Sequence, residues 1–426
     1  MAGNLQKSLP ELIKAGILSS EKAEEIRQYY NQQKSSSTNR LIIVFAILGA
    51  ILVGLGIILI IAHNWDELSR STKTVFAFLP MVIGQLIAGF VILRKRQSIA
   101  WREAASVFLV FAVGASISLV SQIYHIPGSI SSFLLTWMVL CMPLIYLMNS
   151  SITSLMVIIG ATYYACDLVY WSGQHDTSVG YWLLMAAVFA HYYKLFRNKP
   201  YGNFMLLHNW FISLSFTICL GTIATENDYF MFMAYLNLFG LFHIVGNSRL
   251  LSDWSFVRNA YRALGSVGTI VILLILSFDW FWKDLAKENE LLYYSNGLFA
   301  AALLAVGALL VSIISFRKGS WKSIQAVDCV FLFFIPVFIV GTYHVYSTVV
   351  LINLIVLAVG LAIVRKGTRE NHFGILNYGL LIVTALVICR FFDSNISFIV
   401  RGLLFVTVGA GFFAANYLMI KKRKSR

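Results

Sequence analysis

The stretch TVVLINLIVLAVGLAIVRKGTRENHFGILNYGLLIVTALVICR, Thr348 to Arg390, decides the fold. It holds two apolar runs, 348–364 and 375–389, separated by a short turn that carries Arg365, Lys366 and Arg369. Apolar runs near twenty residues long match the hydrocarbon thickness of a bilayer. The stretch therefore reads as two transmembrane helices joined by a basic loop.

Working outward, the same pattern recurs at 41–62, 75–93, 104–122, 133–148, 152–169, 181–195, 204–223, 230–245, 264–278, 292–316, 324–341 and 403–420, which with the first two makes fourteen expected spans. Runs 181–195 and 264–278 are short, so their ends extend into flanking polar residues or cross a locally thin membrane. Composition agrees: 59% of the chain is apolar and 12% charged, whereas soluble domains average roughly 45–50% and 25%. The expected class is all-α and polytopic, with a helical hairpin at 1–33, a linker at 34–40, a membrane domain at 41–420 and a basic tail at 421–426.

Orientation follows from Lys and Arg, which gather in short cytoplasmic loops. With the N-terminus inside, 27 of the 33 basic residues fall on the cytoplasmic side, while the outer side keeps Arg70, Lys73, Lys283, Lys287, Arg390 and Arg401 with eleven of the acids. Both chain ends are then cytoplasmic, and losing one span would invert every later loop. The formal charge of +14 is spread over span rims, where it meets anionic head groups. No basic groove or DNA-reading motif accompanies it, so lipid and not nucleic acid is the expected partner.

The first apolar run is too long and lacks the small-residue pattern of a cleaved signal. Cys141, Cys166, Cys219, Cys329 and Cys389 lie in or beside apolar runs without CxxC spacing, which indicates neither zinc nor a disulfide framework. The glycines form no GxGxxG or P-loop unit, so no cofactor is implied. Gly49, Gly54, Gly56, Gly84, Gly89, Gly402, Gly409 and Gly411 are instead expected where helices approach closely.

Before the first span, Leu9, Leu12, Ile13, Ile17 and Leu18 surround Gly16, and Ala23, Ile26, Tyr29 and Tyr30 follow Ser20. This reads as two short amphipathic helices with Ser20 capping the second. So small a piece buries little alone and must rest on membrane, on another part of the chain or on a protein partner.

LPELIKAGILSSEKAEEIRQYY at Leu9 to Tyr30, an apolar span and HNWDELSRSTKTVFAFLP at His63 to Pro80 together resemble the bacterial membrane-protein family with the domain of unknown function 2157. RFFDSNISFIVRG at Arg390 to Gly402 and the later spans are similar to the C-terminal parts of its longer members. The resemblance implies a multi-pass protein of the bacterial inner membrane. It brings no activity, substrate or catalytic residue.

The outward ends collect His63, Asn64, Trp65, Asp66 and Glu67, then Gln122, Tyr124 and His125, then Tyr343 and His344, then Arg390, Asp393 and Arg401. Imidazole and carboxylate exchange protons and Arg clamps anions, so these groups are a candidate polar chamber. Aromatic belts and caps use the same residue types at the same depth. YHIPGS at Tyr124 to Ser129 and YHVYS at Tyr343 to Ser347 are alike over a few residues, which chance also produces. Asp328 lies within a span, six residues past Lys322, about 9 Å along a helix. It is a candidate proton or cation site, or a structural partner of a nearby Lys or Arg.

Three functions remain open at this level. The first is a transporter or flippase-like carrier of a small polar or lipid-linked substrate. The second is an enzyme acting on an envelope lipid at the outer face, with His63 or His125 as base, Asp66 or Asp393 orienting it, and Arg390 or Arg401 holding phosphate. The third is a sensory or assembly scaffold that contacts a protein partner through residues 1–33.

Overall fold

The structure, a computed structural model, describes residues 68–171, 178–224, 228–248, 251, 254–287, 295–317 and 325–391, with scattered positions within 12–25, 42–59 and 397–417. Every regular element among these residues is a helix. In chain order they are α1 Arg70–Arg94, α2 Ile99–Tyr124, α3 Ile130–Leu147, α4 Ser151–Cys166 continued by a π turn at Asp167–Trp171, α5 Val179–Asn198, α6 Asn203–Leu220 with a 3-10 turn at Gly221–Ile223, α7 Phe230–Asn247, α8 Ala260–Leu276, α9 Trp280–Lys287, α10 Asn296–Arg317, α11 Ala326–Tyr343, α12 Val345–Glu370 and α13 Phe373–Phe391.

Among the described residues, ten helices are long and apolar enough to cross a bilayer, and eleven if the bent pair α8 and α9 is one span. The protein is thus all-α and multi-pass. The expected run 181–195 lies on α5, which has 20 residues but is not among the ten; His191, Lys194, Arg197 and its tyrosines dilute its apolar character. The expected first and last spans are described only in part, and their described positions are helical. Near the N-terminus, Gly16 takes a left-handed φ of 69°, and the helix after it is capped by Ser19, whose hydroxyl accepts the Lys22 N–H at 3.4 Å. The cap is one residue earlier than the expected Ser20.

The chain divides into two compact units, residues 1–167 with 179–198 and residues 168–178 with 199–426. In the first, α1 packs along α2 and the bundle closes through α3, α4 and α5. Ala88, Val91, Ala105, Leu109, Val110, Val113, Cys141 and Met148 form its core. The outer faces stay apolar, as at Leu86 and Leu93, which suits a lipid surround that offers no hydrogen bonds. Ser69 and Ser129 cap α1 and α3 by accepting the Thr72 and Ser132 N–H groups.

In the second unit α7 is the hub, with α6, α8, α10 and α11 against it. Gly246 sits on the Arg262 backbone and Gly265 on the His243 backbone, so α7 and α8 approach closely. Gly360, Gly367 and Gly379 do the same for α12 and α13, which turn at Asn371, φ 54°. Of the glycines expected at such contacts, Gly84 meets Leu109; among the described residues, a Cβ on Gly49, Gly56, Gly89, Gly402, Gly409 or Gly411 would touch nothing within 4 Å, and Gly54 lies outside the described residues. Glycine content marks a membrane helix; which face meets a neighbour depends on rotational phase.

Candidate functional site

The N-terminal turn of α11 reads QAVD, and its geometry is a capping box. Asp328 Oδ2 accepts the Gln325 N–H at 2.8 Å, placing the carboxylate at the positive end of the helix dipole. The other oxygen, Oδ1, lies 2.6 Å from Nδ1 of His243 on α7. Side-chain exposure is 2% for His243 and 11% for Asp328. Asn247, one turn after His243, brings its Nδ2 to 3.4 Å from the same oxygen, and its Oδ1 accepts from Gln325 Nε2 at 3.2 Å. Asn247 Nδ2 also lies 3.2 Å from His243 Nδ1; in the tautomer with Nδ1 carrying the hydrogen, the imidazole donates to the carboxylate.

One carboxylate therefore holds a helix end and orients a buried imidazole. A pair of this kind can hold or release a proton where water is scarce. Asp328 was expected beside Lys or Arg or in a cavity; its close partner is a histidine. His243, Asn247 and Gln325 were missed in the sequence, although a histidine inside an apolar run followed four residues later by Asn was a usable signal.

A second buried acid stands in the first unit. Glu103, in the second turn of α2 and 1% exposed, accepts from Ser150 Oγ at 2.5 Å, from the Ser151 N–H at 2.9 Å and from the Ile152 N–H at 3.0 Å. It thus caps α4 from a different helix. Ser151 Oγ lies 3.3 Å from Nε2 of His191 on α5, also buried. Glu103 falls one residue before the expected span 104–122, next to Arg102. Asp228 does a similar capping job in the second unit, accepting the Gly297 N–H at 2.8 Å and the Ser295 hydroxyl at 3.1 Å.

Of the residues expected to face outward, Gln122, Tyr124 and His125 end α2 and are exposed, with the Tyr124 hydroxyl 3.1 Å from Thr74 Oγ1. Tyr343 and His344 are exposed where α11 meets α12, and His344 alone links those helices. Arg390 is half-buried in the second unit; its guanidinium donates to Ser277 Oγ at 3.2 Å and lies 4.7 Å from the Phe278 ring centre. His63, Asn64, Trp65, Asp66, Glu67, Asp393 and Arg401 lie outside the described residues. The two Tyr-His turns differ: His125 is left-handed at φ 51°, whereas His344 has φ −135°. Their likeness in sequence does not correspond to a shared turn. Among the described residues no group of three or more His, Cys, Asp and Glu is placed to hold a metal ion.

Residues 10–154 match the family described as "Predicted membrane protein (DUF2157)", in agreement with the resemblance carried by Leu9 to Tyr30 and His63 to Pro80. The matched region includes Glu103, Ser150 and Ser151 and ends before His191, His243 and Asp328. Neither the comparison with curated proteins nor that with solved structures gives a match.

Proposed function

We propose that the chain is a proton-coupled carrier of the bacterial cytoplasmic membrane, with fourteen spans and both ends in the cytoplasm, moving a small polar or lipid-linked solute. The observation that carries this reading is the buried contact between His243 and Asp328, at 2.6 Å. Asp328 lies in the first turn of α11, and capping that helix and bonding the imidazole offset the cost of withdrawing its carboxylate from water while leaving a titratable pair inside the helices. Arg317, Lys318 and Lys322 before α11 and Arg249, Arg258 and Arg262 after α7 favour a cytoplasmic position for the pair.

The test uses purified full-length protein in liposomes with a trapped pH-sensitive dye, an imposed pH gradient and a panel of small polar and lipid-linked solutes. At least one solute class is expected to move protons only in the presence of the protein. Asp328→Asn keeps the shape but cannot titrate, so it is expected to insert normally and lose the pH dependence of that flux. A flux with an unchanged pH profile in the variant, or no solute-linked proton movement with any of the panel, would defeat the proposal.

A further inference from the structure

Glu103 is the most deeply buried acid among the described residues, and the proposed carrier does not use it. Its three donors satisfy a carboxylate removed from water. It shares the capping of α4, accepting the Ser151 and Ile152 N–H groups. Ser150 already caps α4 by accepting the Thr153 N–H at 3.1 Å, as Ser69 and Ser129 cap α1 and α3 without help from an acid. What sets this helix end apart is a carboxylate and a histidine joined through neighbouring serines.

The Ser150 hydroxyl is the telling group. Its Oγ lies 2.5 Å from Glu103 Oε2 and 3.0 Å from Thr153 Oγ1. In the first orientation it donates to an ionised carboxylate. If it turns to donate to Thr153, its oxygen faces Glu103 and can accept from a protonated carboxyl. Rotating one hydroxyl thus keeps this contact bonded in either charge state. At the other end of the cluster, Ser151 Oγ bridges toward the imidazole of His191, a second place where a proton can reside.

We infer that Glu103, Ser150, Ser151 and His191 form a second proton-binding site, in the compact unit that does not contain Asp328. Uptake of one proton takes the ionised carboxylate and neutral imidazole, together −1, to a neutral total; the proton rests on Glu103 or His191, and the pair titrates as one system. The charged groups nearby are Arg102, next to Glu103 on α2, and Lys194 on α5, whose ammonium donates to Asn149 Oδ1 at 3.2 Å. From α3, Tyr146 turns its hydroxyl to the Ala187 carbonyl. The inference goes beyond the carrier reading and stands or falls apart from it.

Infrared pH titration of the full-length protein in lipid nanodiscs tests it, by following absorption of protonated carboxyl groups. A component lost in Glu103→Gln and retained in Asp328→Asn is expected, and His191→Gln is expected to shift its midpoint. If Glu103→Gln leaves every titrating carboxyl component in place, the carboxylate is a cap only and the inference is overturned. Should that variant fail to fold, His191→Gln decides: a carboxyl titration identical to that of the unaltered protein overturns the site, and a displaced midpoint supports it. Loss of the Asp328 component alone would bear on the carrier and not on this cluster.

Discussion

An alanine at position 265 would put its methyl carbon 2.5 Å from the His243 backbone nitrogen and 2.6 Å from the Phe239 carbonyl oxygen. Neither atom can swing aside as a side chain does, so α8 must shift away from α7. Overpacking of this kind costs about 1–3 kcal/mol, and Gly265→Ala is expected to lower the thermal unfolding midpoint in detergent. Gly89→Ala, with nothing within 4 Å of the added carbon, is expected to leave it unchanged; equal effects of the two would refute the contact. The pair also shows what single residues reveal in sequence. Both glycines are visible as small residues in apolar runs, but only the fold tells which one faces a neighbour. The same holds for the acids. Asp328 stood out because it falls within the apolar run 324–341, and the structure puts it in the first turn of α11; Glu103, one residue before the run 104–122 and next to Arg102, proved almost fully buried.

Among the elements, α8 and α9 depart most from the expected pattern. At 17 residues and 1.5 Å per residue, α8 is about 25 Å long, slightly short of the roughly 30 Å hydrocarbon core. The chain then bends by 70° into α9. If α8 runs near the membrane normal, α9 lies close to the membrane plane. Its residues divide accordingly: Phe281, Trp282 and Leu285 are buried in the second unit, while Asp279 pairs with Lys283 and Asp284 with Lys287 on the exposed side. Such division is that of an interfacial helix. Spin labels at positions 280, 283 and 287 are expected to sit at nearly the same depth from the bilayer surface; a steady change in depth along the three would mean that α9 continues across the membrane. WFWKDLAK falls between the expected spans 264–278 and 292–316, and its eight residues hold barely two helical turns, too few for periodicity to reveal a helix. The opposite happened at α12, where the run expected to stop at 364 continues as helix to Glu370, since Arg365, Lys366 and Arg369 are good helix formers once outside the hydrocarbon.

For the whole chain, composition and the spacing of apolar runs were enough for an all-α, multi-pass protein, because a bilayer imposes one length and one kind of surface on each span. The polar clusters were not legible in the same way. Asp328 and His243 are 85 positions apart, Glu103 and Ser150 are 47 apart, and only helix packing decides which distant polar residues meet. The charge pattern nevertheless assigns a side to both clusters. Loop 95–98 leads into the helix of Glu103, and the loop after Arg317 leads into the helix of Asp328; both belong to the basic face, so both clusters are expected to open toward the cytoplasm. Sidedness of labelling addresses this most directly. Single cysteines replacing Lys95, Lys199, Lys318 and Lys422, in a chain stripped of its native cysteines, are expected to react with a membrane-impermeant reagent only from the cytoplasmic face, and cysteines replacing Asp176 and Lys283 only from the outside. Reversed reactivity over several consecutive loops would contradict the fourteen-span threading and remove both clusters from the cytoplasmic face.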